Sequence, residues 1–560
     1  MPKRFVLFPL FLFCLGLWAG GPGAPLARAE GAAATAAAAE PVYPFQRLLI
    51  ADSQAKAAAL KTPPGAGVVF AQDVPVLATQ EFTDAIKPYL GQPISIEMVK
   101  RLANDVLTYL RQHDRYAAGI VVPSPQDITG GEVRLAVVLG RYKDVQVRGN
   151  RWFSREQLQA SLGLKPGDEV RLSTLDEAVN WTNANPFRRI KVLVNNLETE
   201  PGMADLVVDV QERLPLRFAA SYDNTGIELV GLNHYTASIQ FGNVWGLDHQ
   251  ASYQYTTTDR TYLYQAHAAD YRIPLPWRHY LQVAGSYSRI APEFYEGRGV
   301  LVGENIVSSL RYIAPMQRAA VSLEFSGGVD FKRSNNNIEW GGEQVFAAKN
   351  DVFQAALGLT AVRRDPVGAW VFAVNVNASP GHFDPHNTDS VLGEARYGAK
   401  ARYLTGTFVV QRFTTLPGGF QLLSRLQFQK ASTNLVGSEQ FSIGGLGTVR
   451  GYNQNIVAGD EGHLLSHELQ GPVWKHALAF LPKKMSPMES RLVAFWDYAA
   501  VWTKFPSDGP SVPLMSAGLG VRCNVATNFS LSADYGWQLL ETTPAQPNRG
   551  RGTIKVTLAY

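Results

Sequence analysis

Tyr235-Thr-Ala-Ser-Ile-Gln-Phe241 alternates without a break: Tyr, Ala, Ile and Phe fall on one side of an extended chain, Thr, Ser and Gln on the other. Phe529-Ser-Leu-Ser-Ala-Asp-Tyr-Gly-Trp537 repeats the pattern, and Ile554-Lys-Val-Thr-Leu-Ala-Tyr560 carries it to an aromatic final residue. From Leu214 onward no helical period competes with it. A soluble β-sandwich also alternates, so scale decides. A bilayer-spanning strand needs about 9 to 11 residues, and roughly 350 residues of such pattern accommodate about sixteen strands with their turns. Residues 214–560 are therefore predicted to form an antiparallel transmembrane β-barrel, apolar toward lipid and polar toward a wet lumen. Closure also removes the unpaired edges that hydrocarbon would not tolerate.

The composition agrees with an exported chain. Lys3 and Arg4 precede an apolar run from Phe5 to Trp18, and Ala27-Arg28-Ala29 offers a cleavage site, so residues 1–29 read as a signal peptide. Its removal would take Cys14 and leave Cys523 without a partner, so no internal disulfide is expected. No later apolar run approaches the roughly twenty residues that a membrane helix needs. A net charge of +4 over 560 residues gives no sign of a nucleic-acid partner.

Between signal and barrel the period changes. Residues 30–67 are rich in Ala and Pro and read as a linker, with a helix predicted over Arg47 to Lys61 between Pro44 and Pro63. Residues 68–141 and 142–213 each combine helical and strand patterns. In the first, Ser95 is suited to cap a helix whose Val99, Leu102, Ala103, Val106 and Leu110 share a face. Strands Ala118–Val122 and Val133–Leu139 follow, turned by Ile128-Thr-Gly-Gly131. In the second, a strand Lys143–Val147 leads into helices near Ser154–Leu162 and Ser173–Asn183, then strands Arg189–Val194 and Asp205–Val210. Two β-α-α-β-β domains in tandem are the simplest account.

These pieces together resemble the POTRA-plus-barrel outer-membrane superfamily. Within it they resemble the two-partner secretion transporters of the haemolysin secretion/activation and filamentous-haemagglutinin type. Pro123-Ser-Pro-Gln126, Gly130-Gly-Glu-Val-Arg-Leu135, Gly140 and Val147-Arg-Gly-Asn150 are similar to the passage from a first POTRA domain to a second. Asp223-Asn-Thr-Gly226 and Gly242-Asn-Val-Trp-Gly-Leu-Asp248 resemble pieces of the early barrel. Val449-Arg-Gly-Tyr452, after Gly444-Gly445, is similar to the signature of a long hairpin loop that folds back into the lumen. The resemblance implies two periplasmic POTRA domains and an outer-membrane barrel that exports a large partner protein, an adhesin, a cytolysin or another long β-helical chain. Whether export activates that partner is left open.

Arg450 then has a physical task. Gly444, Gly445, Gly447 and Gly451 let the loop turn tightly beside the wall, and a guanidinium carried inward must find acceptors. In Arg491-Leu-Val-Ala-Phe-Trp-Asp-Tyr498 the alternation puts Phe495 and Asp497 on one face and Trp496 and Tyr498 on the other, so the carboxylate points to the lumen. The resemblance implies the same partners, pairing the loop arginine with the aspartate of a Phe-x-Asp strand. Val449, Arg450, Gly451, Tyr452, Phe495 and Asp497 are thus the candidate latch, against an ordinary lumen ion pair with no special role.

The expected partners are an unfolded client received by the POTRA domains, outer-membrane lipid, and the barrel-assembly machinery during biogenesis. The client would be taken up as an added strand on a sheet edge. An insertase for other outer-membrane proteins is the alternative; Arg47–Lys61 as a helix plugging the pore is a second reading of that segment. No enzyme, cofactor or metal is expected. Gly444-Gly-Leu-Gly447 lacks the Lys-Ser/Thr of a phosphate loop, and no Gly-x-Ser-x-Gly elbow occurs. His382, Asp384, His386 and Asp389 suggest a metal site, but a solvated extracellular loop is the expected reading.

Overall fold

The structure, a computed structural model, describes residues 43–64, 67–196, 202–294, 299–318, 320–340, 343–476, 488–504, 511–541 and 549–560. The expected signal peptide at 1–29 lies outside them.

The first domain corrects one expectation. Arg47–Ala51 is a strand, and helix is confined to Gln54–Ala59, capped by the Ser53 hydroxyl. The strand pairs in parallel with Val69–Ala71 on one side and Glu132–Val138 on the other, with Gly119–Val121 at the far edge. Leu48, Leu49 and Ile50 are fully buried. A strand covered on both faces reads as an unbroken apolar run, which periodicity does not separate from a short helix. Of the helix expected over Arg47 to Lys61 as linker or pore plug, the first part is therefore a central strand of the first sheet, and only Gln54–Ala59 is helical. The main helix, Ile96–Gln112, starts under the Ser95 cap and buries Met98, Leu102, Val106 and Leu110 against that sheet.

The second domain follows the predicted order. Arg141–Arg148, helices Arg155–Leu162 and Leu172–Thr182, then Arg188–Asn196 and Met203–Glu212 make a three-stranded sheet with Met203–Glu212 in the middle. Ser154 and Gln157 form a reciprocal capping box at the first helix. Tyr142, Phe153, Leu158 and Phe187 fill the core between helices and sheet.

A closed antiparallel barrel of sixteen staves follows, beginning at Leu216–Asp223 and ending at Gly550–Ala559, which pair with each other. Two short strands, Glu293–Phe294 and Trp474–His476, lie alongside the neighbouring staves. The faces are inverted relative to a soluble protein. Phe218, Tyr235, Val374, Phe408 and Leu558 are exposed on the outside, while Asp330, Gln354, Thr405, Asp497 and Asp534 are buried within.

The second domain docks on a barrel turn. The Arg188 guanidinium donates to both Asp248 carboxylate oxygens at 2.8 and 2.6 Å, and Asn185 donates to the Gly242 carbonyl and to Asp248. The Phe187 ring packs where Gly242 lacks a β-carbon. The stretch from Gly242 to Asp248 is thus the socket for the domain beneath it.

Residues 381–401 correct another expectation, since they are folded rather than a plain solvated loop. Strand Gly368–Pro380 stops pairing at Ala378 with Ala355, while its neighbour Glu343–Asp365 continues outward. The loop covers part of that bare edge. The Asp351 N–H donates to the His386 carbonyl at 3.1 Å, and fully buried Asn387 donates to the Asp351 carbonyl at 2.7 Å. Helix Asp389–Ala395 then sets Leu392 against Val352, Tyr403 and Leu435. Arg396 closes the loop over the lumen by donating to Asp460 at 2.8 and 3.2 Å. Among the described residues no group of three or more His, Cys, Asp or Glu is placed to hold a metal ion.

Candidate functional site

The loop between staves Gln421–Ala431 and Glu461–Gln470 turns back into the lumen. Phe441–Ile443 and Val457–Gly459 pair as its two arms, and Phe441, Ile443, Val449 and Tyr452 pack on Leu464, Ala499, Val501 and Leu514 of the wall. An apolar underside meeting an apolar patch of the inner wall explains why the hairpin lies against these staves instead of standing in water.

The turn brings Arg450 to the strand Met488–Trp502. Its Nε donates to Asp497 Oδ2 at 2.8 Å, its Nη2 to Oδ1 at 2.9 Å, and its own backbone N–H to Oδ2 at 3.2 Å. Asp497 is 0% exposed and Arg450 6%. Ser466 Oγ adds a 2.6 Å hydrogen bond to Oδ1, so the carboxylate accepts four donors. The guanidinium carbon stands 3.6 Å above the centre of the Phe495 ring. A two-pronged pair with a ring beneath fixes both position and plane, which a lysine would not do.

All six expected latch residues meet here. Val449 and Tyr452 are fully buried, and the Tyr452 hydroxyl lies 2.9 Å from the Met515 carbonyl and 2.6 Å from that of Leu540. The glycines divide. Gly451 has a φ of +89° and rests on Gly536, whose carbonyl oxygen is 2.6 Å from where a β-carbon would stand. Gly444 and Gly445 also have positive φ, and a side chain on either would strike the returning arm at Asn453 or Gln454. Gly447 has open space around it and no positive φ, so nothing in the turn requires glycine there.

Sequence reasoning missed the second acceptor. Arg450 Nη1 donates to Glu468 Oε2 at 2.5 Å, and the same oxygen takes Arg522 Nη2 at 3.3 Å. Arg522 in turn donates to Asp534 at 2.7 Å. Charges therefore alternate along a line Asp497, Arg450, Glu468, Arg522, Asp534 across the inner wall. The signal was present, because Leu464, Ser466, Glu468 and Gln470 share one phase of their strand. Gly518 supplies the space under the Phe495 ring, and a β-carbon there would enter it.

Known proteins fit this geometry. Residues 202–523 match the family of the haemolysin secretion/activation protein ShlB/FhaC/HecB, and residues 67–140 match the POTRA domain of ShlB type. Among curated relatives, the outer membrane transporter CdiB-2 of Burkholderia pseudomallei is 22% identical over 85% of this chain and 79% of its own. The heme/hemopexin transporter protein HuxB of Haemophilus influenzae is 20% identical over 81% and 80%. CdiB from Escherichia coli has a similar fold, with a TM-score of 0.73 over 95% of this chain and 93% of that one at 15% identity. A sixteen-stave barrel with two small α+β domains before it, and a family match over more than half its length, place the chain in the ShlB/FhaC/HecB haemolysin secretion/activation family, the outer-membrane translocators of two-partner secretion.

Proposed function

We propose that the Arg450–Asp497 pair is a latch that holds the lumen hairpin in the position from which export proceeds. The supporting observation is the burial of both charges: each is bound by the other, and removing one partner of such a pair typically costs about 3 to 5 kcal/mol. A hairpin held so firmly inside a conduit is an element whose position matters to passage. The cargo is a large secreted polypeptide that enters unfolded, and its own folding outside supplies direction. It is received by adding a strand to an open edge of the POTRA sheets, of which Gly119–Val121 and Arg188–Asn196 are two. The apolar band of Val374, Phe408 and Leu558 is the surface that meets outer-membrane lipid. This is transport and not catalysis.

Secretion of a cognate client is measured for Arg450→Ala and Asp497→Ala at matched barrel levels. Strong loss in both is expected; wild-type export in both rejects the latch.

A further inference from the structure

The barrel closes unevenly. The last two staves stay in register from Phe529–Leu558 to Trp537–Gly550. Where the first stave meets the last, the ladder runs from Ala219–Ala559 to Asp223–Lys555, with Phe218 and Tyr560 exchanging backbone hydrogen bonds at one end and the Asn224 N–H donating to the Ile554 carbonyl at 3.3 Å at the other. Beyond Lys555 the last stave continues to Gly550 without a partner strand on that side.

Two side chains act in that gap. The Asn224 amide takes the place of a peptide group: its Nδ2 donates to the Gly552 carbonyl at 3.0 Å, and its Oδ1 accepts from the Ile554 N–H at 2.8 Å. The Arg551 guanidinium crosses from the last stave to the first turn, where Nη2 donates to the carbonyls of Asn224 at 2.9 Å and Gly226 at 2.8 Å. Its Nη1 donates to Asn453 Oδ1 at 2.6 Å. Asn453 follows Tyr452 on the lumen hairpin.

All three of these acceptors are neutral. A carboxylate holds a guanidinium over a range of distances by charge, whereas carbonyl and amide oxygens, which carry no net charge, hold it through short charge-assisted hydrogen bonds that weaken steeply once the geometry breaks; Glu228 adds only a through-space attraction. One side chain therefore reads three elements at once: last stave, first turn and hairpin. We propose that Arg551 is a positioning residue that couples the hairpin to the first–last seam, so that the upper part of the seam stays shut while the hairpin is seated and is released when it withdraws. The proposal rests on the reading of the hairpin as the element that governs export.

The test uses full-length protein in bilayers with Cys523→Ser. Spin labels on cysteines replacing exposed Leu229 and Glu541 report the distance across the seam. The seated protein should give one narrow distance. Arg551→Ala, Asn453→Ala and Arg450→Ala should each broaden and lengthen it, Arg551→Lys should fall between, and entry of a bulky antibiotic into cells should rise several-fold with the first three. Native heat-modifiable mobility in gels identifies variants that have folded. An unchanged seam in folded Asn453→Ala and Arg551→Ala overturns the coupling. Export by Arg450→Ala separates the two claims: if it is normal, the reading of the hairpin fails; if it is lost while the seam stays narrow, only the coupling fails.

Discussion

Gly451 and Gly536 touch backbone to backbone: a β-carbon on the first would lie 2.6 Å from the carbonyl oxygen of the second, and one on the second 2.7 Å from the nitrogen of the first. The hairpin approaches the wall as closely as two chains can without side chains between them. Gly451→Ala adds bulk and strains a φ of +89°, so it should lift the hairpin at a cost of about 1 to 3 kcal/mol. Gly447→Ala should be near neutral. Protease cleavage within 441–459 of folded barrels, compared for the two variants, checks the contrast.

Glu468 is shared by two arginines, which sets it apart from Asp497. Exchanging charges in an Arg450→Asp, Asp497→Arg double variant should not restore function, because the new aspartate would face Glu468 and the new arginine could not accept the residue-450 backbone N–H that Asp497 now takes. Export at matched barrel levels gives the answer, and recovery to wild type would contradict the shared-acceptor geometry.

Arg188 and Asp248 fasten the second POTRA domain to the barrel through a pair that is nearly buried. Asp248→Ala should loosen the domain while leaving heat-modifiable barrel intact, at a local cost of about 3 to 5 kcal/mol. Cross-linking between cysteines at Gln157 and Asn243, whose side chains meet at 2.7 Å, should fall several-fold in that variant.

Asp460 accepts from Arg396, the Leu435 N–H at 2.8 Å and the Lys504 N–H at 3.0 Å, tying three outer loops at one fully buried carboxylate. Asp460→Ala should free all three. Single-channel recordings in planar bilayers should then show larger and noisier conductance than wild type, with Arg396→Ala changed in the same direction and by less.

Much of this was legible because membrane strands obey a period of two over long distances. The phase of Phe495 and Asp497 needed only the lipid preference of Trp496 and Tyr498, and Ser95 marked its helix because few residues satisfy free N–H groups so well. Arg47–Ala51 was not legible: Leu48-Leu-Ile50 is equally suited to a helix, and its neighbours in the sheet come from residues 69–71 and 132–138, far along the chain. The fold of 381–401 was hidden for a related reason. Its loop residues satisfy main-chain groups of one strand that outruns its neighbour, and strand lengths are not printed in local sequence.

That outrunning strand has a topographic consequence. From Gln354 to Glu343 it runs about 40 Å along its own axis past the last rung it shares with Gly368–Pro380, whereas the opposite flank is crossed by short turns such as residues 224–233. Among the described residues, the rim is thus tall at this stave and low at residues 224–233. A polypeptide emerging beside the tall stave runs along a strand wall, whereas one emerging beside residues 224–233 would meet the medium at once.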